Sequence, residues 1–309
     1  MPKLSVLIPT FNYARYLPEA IESVLSQSFA DFELLIVDDA STDETRQIIE
    51  QYALNDSRIR FHIHAKNIGM VQNWNAALGM ACGEYAKFLF GDDKLCNPRA
   101  LEEMVAAMES DASISLVMSG RRILDENSRE LHSINFAASA GLEDGHALIL
   151  RSLEQTRNIL GEPSASMFRK RFAARGFDPA YRQLVDLEFW FHLLEQGNFF
   201  YLAEPLCGFR IHESQQTAVN RAEQVDSEEY LRLLQKYSAK PYLGEAVGKR
   251  FLFNNIYALA RSRGTTAPSE MELELRSKLS GADYVFQWLR YKITRPANNL
   301  RQSIRKRLG

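Results

Sequence analysis

Four short apolar runs in the first ninety residues alternate with helix-like segments, and this alternation restricts the fold more than any other feature. The runs are Leu4–Ile8, Phe32–Val37, Arg58–Ile63 and Glu84–Phe90. Apolar runs of this length are typical of parallel strands that are buried on both faces. Strand and helix repeated in this order predict a right-handed, parallel α/β sheet.

Polar residues follow three of these strands at the point where the chain turns. Phe11–Asn12 follows the first strand, Asp38–Asp39 the second and Asp92–Asp93 the fourth. Ligands of such sheets bind outside the carboxyl ends of the strands, so we expect these loops to meet at one edge. An alternative role for Asp38–Asp39 is helix capping beside Ser41 or Thr42, the predicted N-cap of the next helix.

The segment Phe88–Asp93 ends an apolar strand with two adjacent carboxylates. Adjacent carboxylates repel each other and lose hydration, so they need a counter-charge. A hard divalent cation, Mg2+ or Mn2+, takes oxygen ligands and commonly accompanies a phosphorylated substrate. The segment therefore predicts a cation site, and a solvated turn that merely ends the strand is the alternative.

No glycine-rich phosphate loop follows any of these strands, which disfavours dinucleotide dehydrogenases and P-loop ATPases. A nucleotide can still be held without such a loop. Phe11 would stack on a base, Asp39 would accept from a base N–H, and the cation would neutralise the diphosphate. The alternative for Phe11 is an aromatic residue of the core.

Five segments match the motifs of a known family in sequence and in spacing. They are Leu4–Asn12, Ser23–Phe29, Phe32–Asp43, Asn67–Gly69 and Gly83–Leu89. Together they resemble the family 2 glycosyltransferases, which are inverting enzymes that use nucleotide sugars. The resemblance implies a GT-A fold, a Rossmann-like, mixed but mainly parallel sheet flanked by helices. It is dense to about residue 100 and thinner to about residue 215.

The resemblance assigns roles to the residues at the strand ends. Asp39 would recognise the uracil or thymine of a UDP- or dTDP-sugar donor, and Asp92 and Asp93 would occupy the metal-binding position. Members often carry an acid where this chain has Phe90, so a metal-independent enzyme is an alternative. The residues predicted to bind the nucleotide are Pro9, Thr10, Phe11, Asn12, Asp38, Asp39, Asn67, Gly69, Asp92 and Arg210.

A later segment carries the predicted catalytic base. A helix is predicted from about Gln183 to Glu195, and Asp186 lies near its N-terminal end, where the helix dipole stabilises an acid. The resemblance implies that Asp186 accepts the proton of the acceptor hydroxyl. The alternative is an ordinary acid of the first helical turn.

The segment Phe209–His212 resembles the aromatic–Arg–x–His ending of the family's catalytic domain. Arg210 is predicted to pair with the diphosphate as a planar cation. His212 is predicted to join Asp92 and Asp93 as a metal ligand, and a surface histidine is the alternative. The resemblance also places Glu162 and Ser164 beside the acceptor.

The predicted organisation is a catalytic domain over residues 1–215, divided into a nucleotide-binding half (1–110) and an acceptor-binding half (111–215). A helical region follows over residues 216–309. Its last residues, 284–309, hold seven Lys/Arg and no Asp or Glu, interleaved with aromatic residues. This pattern predicts an amphipathic helix on an anionic membrane, and a solvated terminal helix is the alternative.

The remaining totals limit the location and partners. A net charge of -2 argues against nucleic acid as a partner, and no apolar stretch approaches the length of a membrane span. The three scattered cysteines are typical of a reducing compartment. With no signal peptide recognised at the N-terminus, we expect a cytoplasmic protein that associates peripherally with the inner face of the membrane.

The predicted function is inverting transfer of a sugar to a hydroxyl of a saccharide or lipid-linked saccharide, as in synthesis of cell-surface polysaccharides. One alternative is a non-catalytic or metal-independent sugar-nucleotide-binding protein of the same fold, which Phe90 keeps open. Another is a nucleotidyltransferase. That class normally has a glycine-rich basic loop after the first strand, which the segment Pro9–Tyr13 lacks.

Overall fold

The computed structural model describes residues 1–136, 140–155, 158–212, 225–263 and 270–289. The strands are β1 Leu4–Thr10, β2 Phe32–Asp38, β3 Ile59–Ile63, β4 Tyr85–Phe88, β5 Lys94–Leu95, β6 Ile114–Leu124, β7 Glu130–Ile134, β8 Gly141–Glu143, β9 Ser166–Arg169 and β10 Asn198–Arg210. The helices before residue 213 are α1 Leu17–Leu25, α2 Thr45–Asn55, α3 Met70–Met80, α4 Ala100–Glu109, α5 Gly145–Gln155 and α6 Val185–Leu194.

The strands form one mixed sheet in the order β3-β2-β1-β4-β9-β6-β10-β5, with β7 and β8 paired at the side. The first four strands along this order are parallel to their neighbours. Strand β9 then runs antiparallel between β4 and β6, and β6 pairs with β10 in parallel. The three longest ladders are therefore parallel, and the predicted strand–helix alternation and mainly parallel sheet are confirmed.

Burial explains the apolar runs of the sequence. All seven residues of β1 and all seven of β2 are buried, because helices cover both faces of this part of the sheet. The carboxyl ends of β1, β2 and β4 lie side by side, since β1 pairs in register with both of its neighbours. The polar loops after these three strands therefore share one edge of the sheet.

The predicted cap of the second helix is wrong. Helix α2 begins at Thr45 with Glu44 at its N-cap position, and no side chain caps it there. The hydroxyl of Ser41 instead donates to Asp38, and Asp43 accepts from the backbone N–H of Thr45 at 3.1 Å. The polar residues after β2 fold into a loop of their own, so the helix begins two or three residues later than predicted.

Gly83 fixes the entry into β4 because its backbone passes close to the central strand. A Cβ at this position would lie 2.6 Å from the backbone N of Ser5 and 2.7 Å from the carbonyl carbon of Leu4. We expect Gly83→Ala to lower the free energy of unfolding by about 1–3 kcal/mol, because β1 would have to shift. Urea unfolding monitored by circular dichroism measures this change.

Gly79 supplies the matched control for that variant. It lies on the exposed side of α3, and nothing lies within 4 Å of the position that a Cβ would take. Gly79→Ala should leave stability unchanged or raise it by about 0.5–1 kcal/mol, since alanine favours a helix interior. Equal destabilisation by both variants would contradict the assigned packing of Gly83.

The chain divides into two compact units, one formed by residues 1–152 and 157–223 and the other by 153–156 and 224–309. The boundary predicted at residue 215 falls among residues 213–224, outside the described residues, and stays a prediction. The second unit is helical, with helices Val225–Tyr237, Glu245–Arg263 and Glu270–Ser277 and a further helical stretch over residues 281–289. Over the described residues, no helix is both long and apolar enough to cross a membrane.

Candidate active site

Asp39 joins the loop after β1 to the loop before α3. Its backbone N–H donates to the carbonyl oxygen of Thr10 at 2.9 Å, and the residue as a whole is 2% exposed. The two carboxylate oxygens accept from the backbone N–H groups of Ile68 at 2.7 Å and Gly69 at 2.9 Å. Gly69 has φ +89°, a conformation that side chains disfavour, so the loop that Asp39 orders depends on this glycine.

The other predicted nucleotide residues near Asp39 differ in exposure. The side chain of Phe11 is exposed and so is not part of the core. Asn12 adopts a left-handed conformation, and its side-chain oxygen accepts from the backbone N–H of Thr42 at 2.8 Å. Asp38 is fully buried and both of its oxygens accept from Ser41, so Asp38, like Asp39, is engaged by donors of the protein.

Asp92 and His212 meet at the end of β4 although they lie far apart in the sequence. The Nε2 atom of His212 lies 3.0 Å from Oδ2 of Asp92, and both side chains are largely buried. Tyr13 also forms a hydrogen bond with Asp92, and its ring meets that of His212 edge-on. Burial and then the charges of Asp92 and Asp93 raise the pKa of Tyr13, so its hydroxyl stays a hydrogen-bond donor.

Asp93 is held by protein donors other than the partners of Asp92. One carboxylate oxygen accepts from the backbone N–H of Arg210 at 2.9 Å, and the other accepts from the hydroxyl of Ser164. Burial, followed by the neighbouring charge of Asp92, raises the pKa of Asp93 well above its usual range. These contacts favour a supporting role for Asp93 over direct coordination of a cation.

The guanidinium of Arg210 is already engaged by protein groups. Arg210 is 1% exposed, and its Nε donates to the backbone carbonyl of Asp92 at 2.7 Å. Its terminal nitrogens donate to Glu19 at 2.6 Å and to the hydroxyl of Ser128 at 2.7 Å. This geometry gives Arg210 a positioning role under Asp92 and does not favour the predicted direct contact with a diphosphate.

Glu19 on α1 completes this ionic cluster. Burial alone would raise the pKa of Glu19, but hydrogen bonds from Lys94, Ser128 and Arg210 outweigh burial and lower the pKa to about 2. The carboxylate is therefore ionised at neutral pH and pairs with Arg210. Helix α1, strand β5 and the β6–β7 turn thereby hold the carboxyl end of β10 behind Asp92.

Asp186 lies in the first turn of α6, as the sequence predicts for that helix. Its Oδ2 accepts from the side-chain amide of Asn158 at 3.1 Å, and its Oδ1 accepts from the backbone N–H of Leu187 at 2.7 Å. The side-chain oxygen of Asn158 accepts from the backbone N–H groups of Leu160 and Gly161. Asn158 therefore ties the carboxylate of Asp186 to the loop before Glu162.

Glu162 and Ser164 lie on that same loop, at the turn Pro163–Ala165. Glu162 forms an ion pair with Arg121 of β6, whose Nε lies 2.5 Å from its carboxylate. Burial raises the pKa of Glu162, and the charge of Arg121 opposes this rise. Ser164 contacts Asp93, so the turn borders both the predicted acceptor side and the predicted donor side.

A continuous series of contacts therefore connects the predicted acids. The loop after β1 contacts Asp39 through Thr10 and Asp92 through Tyr13. From Asp93 the series continues through Ser164 and its loop to Asn158, and from there to Asp186. These contacts link five of the seven chain segments that hold the predicted residues. Asn67–Gly69 joins them through Asp39, and Arg210 and His212 join them through Asp93 and Asp92.

The donor set fits a divalent cation in part. Asp92 supplies a carboxylate oxygen and His212 an imidazole nitrogen at the same point, and both donor types suit Mn2+. Within the described ranges, no group of three or more His, Cys, Asp or Glu side chains is arranged as a metal site. A bound cation would therefore take its remaining ligands from the diphosphate and from water.

Phe90 replaces a possible further acid with an apolar contact. Its ring stacks on that of Trp74 in α3, with the centroids 4.8 Å apart and the planes inclined by 29°. Its backbone N–H donates to the hydroxyl of Ser164 at 3.1 Å. Phe90 thus packs the strand end against α3 and leaves Asp92 as the acid that faces His212.

Sequence reasoning did not single out Tyr13, Glu19 or Asn158. Tyr13 lies only one residue beyond the predicted base pocket, so its position was a usable signal. The other two act through partners that are distant in the chain. The contact from Asn158 to Asp186 spans 28 residues and that from Glu19 to Arg210 spans 191 residues, and no local pattern marks such pairs.

Comparison with known proteins identifies the family of the chain. The family model "Glycosyl transferase family 2" matches residues 5–177. The "Putative glycosyltransferase EpsE" of Bacillus subtilis is 32% identical over 203 residues, which cover 63% of this chain and 68% of EpsE. A "GalNAc(5)-diNAcBac-PP-undecaprenol beta-1,3-glucosyltransferase" of Campylobacter jejuni is 36% identical over 115 residues, 37% of each chain.

Solved structures share the fold. TarS of S. aureus, crystallised as residues 1–349 with UDP-GlcNAc, matches with a TM-score of 0.65 and 21% identity over 85% of this chain and 74% of that chain. The mannosyltransferase PcManGT from Pyrobaculum calidifontis, in complex with GDP-Man and Mn2+, matches with a TM-score of 0.59 and 16% identity, covering 97% of this chain and 87% of that chain. The chain belongs to the family 2 glycosyltransferases and is a glycosyltransferase of GT-A fold.

Proposed function

We propose that the enzyme transfers a sugar, with inversion, from a UDP- or dTDP-sugar to a hydroxyl of a saccharide or lipid-linked saccharide used for cell-surface polysaccharide. The observation that carries this proposal is the connection of Asp92 to Asp186 through Asp93, Ser164 and Asn158. This connection links Asp92, which suits a cation bound to the donor diphosphate, to Asp186, which suits a base for the acceptor hydroxyl. The names of similar proteins support the substrate classes, since TarS binds UDP-GlcNAc and the Campylobacter relative carries an undecaprenol-linked saccharide in its name.

Asp186 is the proposed base. Its carboxylate takes the proton of the acceptor hydroxyl while that oxygen attacks the anomeric carbon of the donor sugar. The bond from the anomeric carbon to the β-phosphate oxygen breaks on the opposite face, and the nucleoside diphosphate leaves with the electron pair. Two hydrogen bonds hold the carboxylate of Asp186 in one orientation, which suits repeated proton transfer at a fixed position.

The proposed cation site is formed by Asp92 and His212. Arg210 supports it by donating to the backbone carbonyl of Asp92 and to the carboxylate of Asp93. A divalent cation bound there would offset the negative charge that develops on the leaving diphosphate. The proposed base pocket is formed by Pro9–Asn12 and Asp39, together with the loop Asn67–Gly69. The exposed ring of Phe11 is available for stacking on a base.

Asp39 is expected to contribute mainly to donor binding. Asp39→Ala removes the acceptor for the N–H groups of Ile68 and Gly69, so the base-pocket loop loses its anchor. We expect UDP affinity to fall by about 10–100-fold, the loss of one or two charge-assisted hydrogen bonds. Calorimetry with UDP and dTDP measures this effect and identifies the preferred base.

Asp31→Ala is the matched control, because Asp31 precedes the same strand but is exposed. This variant should bind UDP like the unmodified enzyme. Equal affinity in Asp39→Ala would exclude Asp39 from the base pocket. Loss of binding in both variants would indicate a general effect on the strand and would contradict a specific role for Asp39.

Release of UDP from a panel of sugar donors distinguishes the proposal from its alternatives. The proposed enzyme releases UDP or dTDP in an acceptor-dependent manner and is stimulated by Mn2+. A binding protein without turnover would bind UDP and release none from the donors. A nucleotidyltransferase would instead react a nucleoside triphosphate with a sugar phosphate and release pyrophosphate.

We further propose that the C-terminal segment binds an anionic membrane surface, which would bring the enzyme to a lipid-linked acceptor. The helical stretch over residues 281–289 exposes four apolar side chains, Val285, Phe286, Trp288 and Leu289. The basic residues of the predicted tail lie at 290–309, outside the described residues. Apolar and basic residues in one terminal segment favour the interface of an anionic bilayer.

Deletion of residues 284–309 tests this part of the proposal. We expect the full chain to sediment with vesicles that contain anionic phospholipid and the deleted chain to remain in the supernatant. Vesicles of neutral lipid are the control and should retain neither protein. Equal sedimentation of both proteins with anionic vesicles would contradict a role for the tail.

A further inference from the structure

A lysine is fully buried in the sheet beneath the candidate active site. Lys87 lies on β4 and is 0% exposed. Its Nζ donates to the backbone carbonyl oxygen of Ser164 at 2.5 Å and lies 3.4 Å and 3.5 Å from those of Ser166 and Phe88. A buried ammonium group is costly and rarely retained without a role. The proposed reaction assigns it none.

The amine remains largely protonated at neutral pH. Burial lowers the pKa of Lys87 to about 8, which still lies above neutral pH. The group therefore acts as a cation with three N–H donors directed at backbone oxygens. Its main partner, the carbonyl of Ser164, belongs to the turn Pro163–Ala165.

Ser164 connects this lysine to the acids of the site. Its carbonyl oxygen accepts from Lys87, and its hydroxyl donates to Asp93. The same hydroxyl accepts from the backbone N–H of Phe90 at 3.1 Å. Ser164 is therefore fixed through two groups: its carbonyl oxygen contacts Lys87 of β4, and its hydroxyl contacts Phe90 and Asp93.

We propose that Lys87 is a positioning residue for the cation site: its ammonium group fixes Ser164, and Ser164 orients Asp93 and with it Asp92. This inference rests on the proposed function, since it assumes that the Asp92–His212 pair receives a cation with the donor diphosphate. The described contacts of Lys87 include neither Asp92 nor His212. Its shortest contact is with the carbonyl oxygen of Ser164, and a double-mutant cycle tests whether its effect passes through that residue.

Two variants interrupt the connection at different points. Lys87→Met keeps an unbranched side chain of similar length and removes the charge and the N–H donors. Ser164→Ala keeps Lys87 and removes only the hydroxyl that contacts Asp93. We expect each variant to raise the dissociation constant of UDP in the presence of Mn2+ about tenfold, measured by calorimetry. The double variant should be no more than about threefold weaker than either single variant, because both act through the same contact.

Arg169→Met is the matched control. Arg169 is also a buried cation of this sheet and also donates to backbone carbonyls, those of Ile114, Met108 and Asp111, none of which contacts the site. This variant should lower the melting temperature and leave the affinity for UDP with Mn2+ unchanged. Such a result separates loss of a buried cation from loss of positioning.

The outcomes separate this inference from the proposed function. A wild-type enzyme that binds no UDP, with or without Mn2+, would overturn the proposed function and this inference with it. Wild-type binding that Lys87→Met or Ser164→Ala leaves unchanged would overturn only the role of Lys87. Additive losses in the double variant would do the same, since they would show that the two residues act independently. If Lys87→Met does not fold, an unchanged UDP affinity in Ser164→Ala still overturns the proposal.

Discussion

Replacing Asp186 with asparagine should reduce sugar transfer by about 10³-fold while UDP affinity stays within about twofold of that of the unmodified enzyme. Asparagine matches the size of aspartate but cannot take a proton from the acceptor hydroxyl, and loss of a general base commonly costs 10²–10⁴-fold. The contacts described for Asp186 are with Asn158 and Leu187. The proposed donor site is built on Asp39 and Asp92, so the nucleotide should bind normally. Initial rates of UDP release and calorimetry measure the two quantities.

The surroundings of Asp186 make this test specific. Both of its carboxylate oxygens accept from donors, the amide of Asn158 and the backbone N–H of Leu187. The oxygen of Asn158 is held by Leu160 and Gly161, so its amide cannot simply rotate to suit an asparagine at position 186. Some loss of stability is therefore expected, and a melting curve must accompany the kinetics.

Glu195→Gln supplies the control for an acid-to-amide change on the same helix. Glu195 lies at the opposite end of α6, at its C-cap. This variant should retain full transfer activity. Transfer at the normal rate by Asp186→Asn would exclude the base assignment. An equal loss in both variants would indicate that α6 is disturbed as a whole.

The loops of the site were predictable because their positions follow from local pattern. Apolar runs set the ends of β1, β2 and β4, and parallel pairing then places Thr10, Asp39 and Asp92 along one edge. The first-turn position of Asp186 in α6 likewise follows from helical periodicity. Such features depend on neighbouring residues, which the sequence displays directly.

The roles of the charged groups were less predictable because they depend on partners that are distant in the chain. Arg210 has the chemistry of a diphosphate ligand, but Glu19 and Ser128 engage its guanidinium. Asp92 and Asp93 look equivalent in the sequence, yet one meets His212 and the other meets Ser164. Side-chain direction at the end of a strand decides between these roles, and no spacing rule reports it.

The different contacts of Asp92 and Asp93 lead to the second prediction with a large expected effect on activity. We expect Asp92→Asn to lower Mn2+-stimulated transfer by about 10²–10³-fold, because the cation loses its carboxylate ligand and the charge on the leaving diphosphate is less well offset. The affinity for UDP should then be the same with and without Mn2+. Calorimetry under the two conditions tests this directly, without depending on turnover.

Asp93→Asn is the matched comparison, one residue further along the chain. An asparagine at this position can still accept from the backbone N–H of Arg210, and its amide can donate to the hydroxyl of Ser164. Because asparagine keeps both of these contacts, the Mn2+ dependence of UDP binding should persist. If Asp93→Asn abolishes that dependence as completely as Asp92→Asn does, both acids coordinate the cation, and the supporting role inferred for Asp93 from its contacts is wrong.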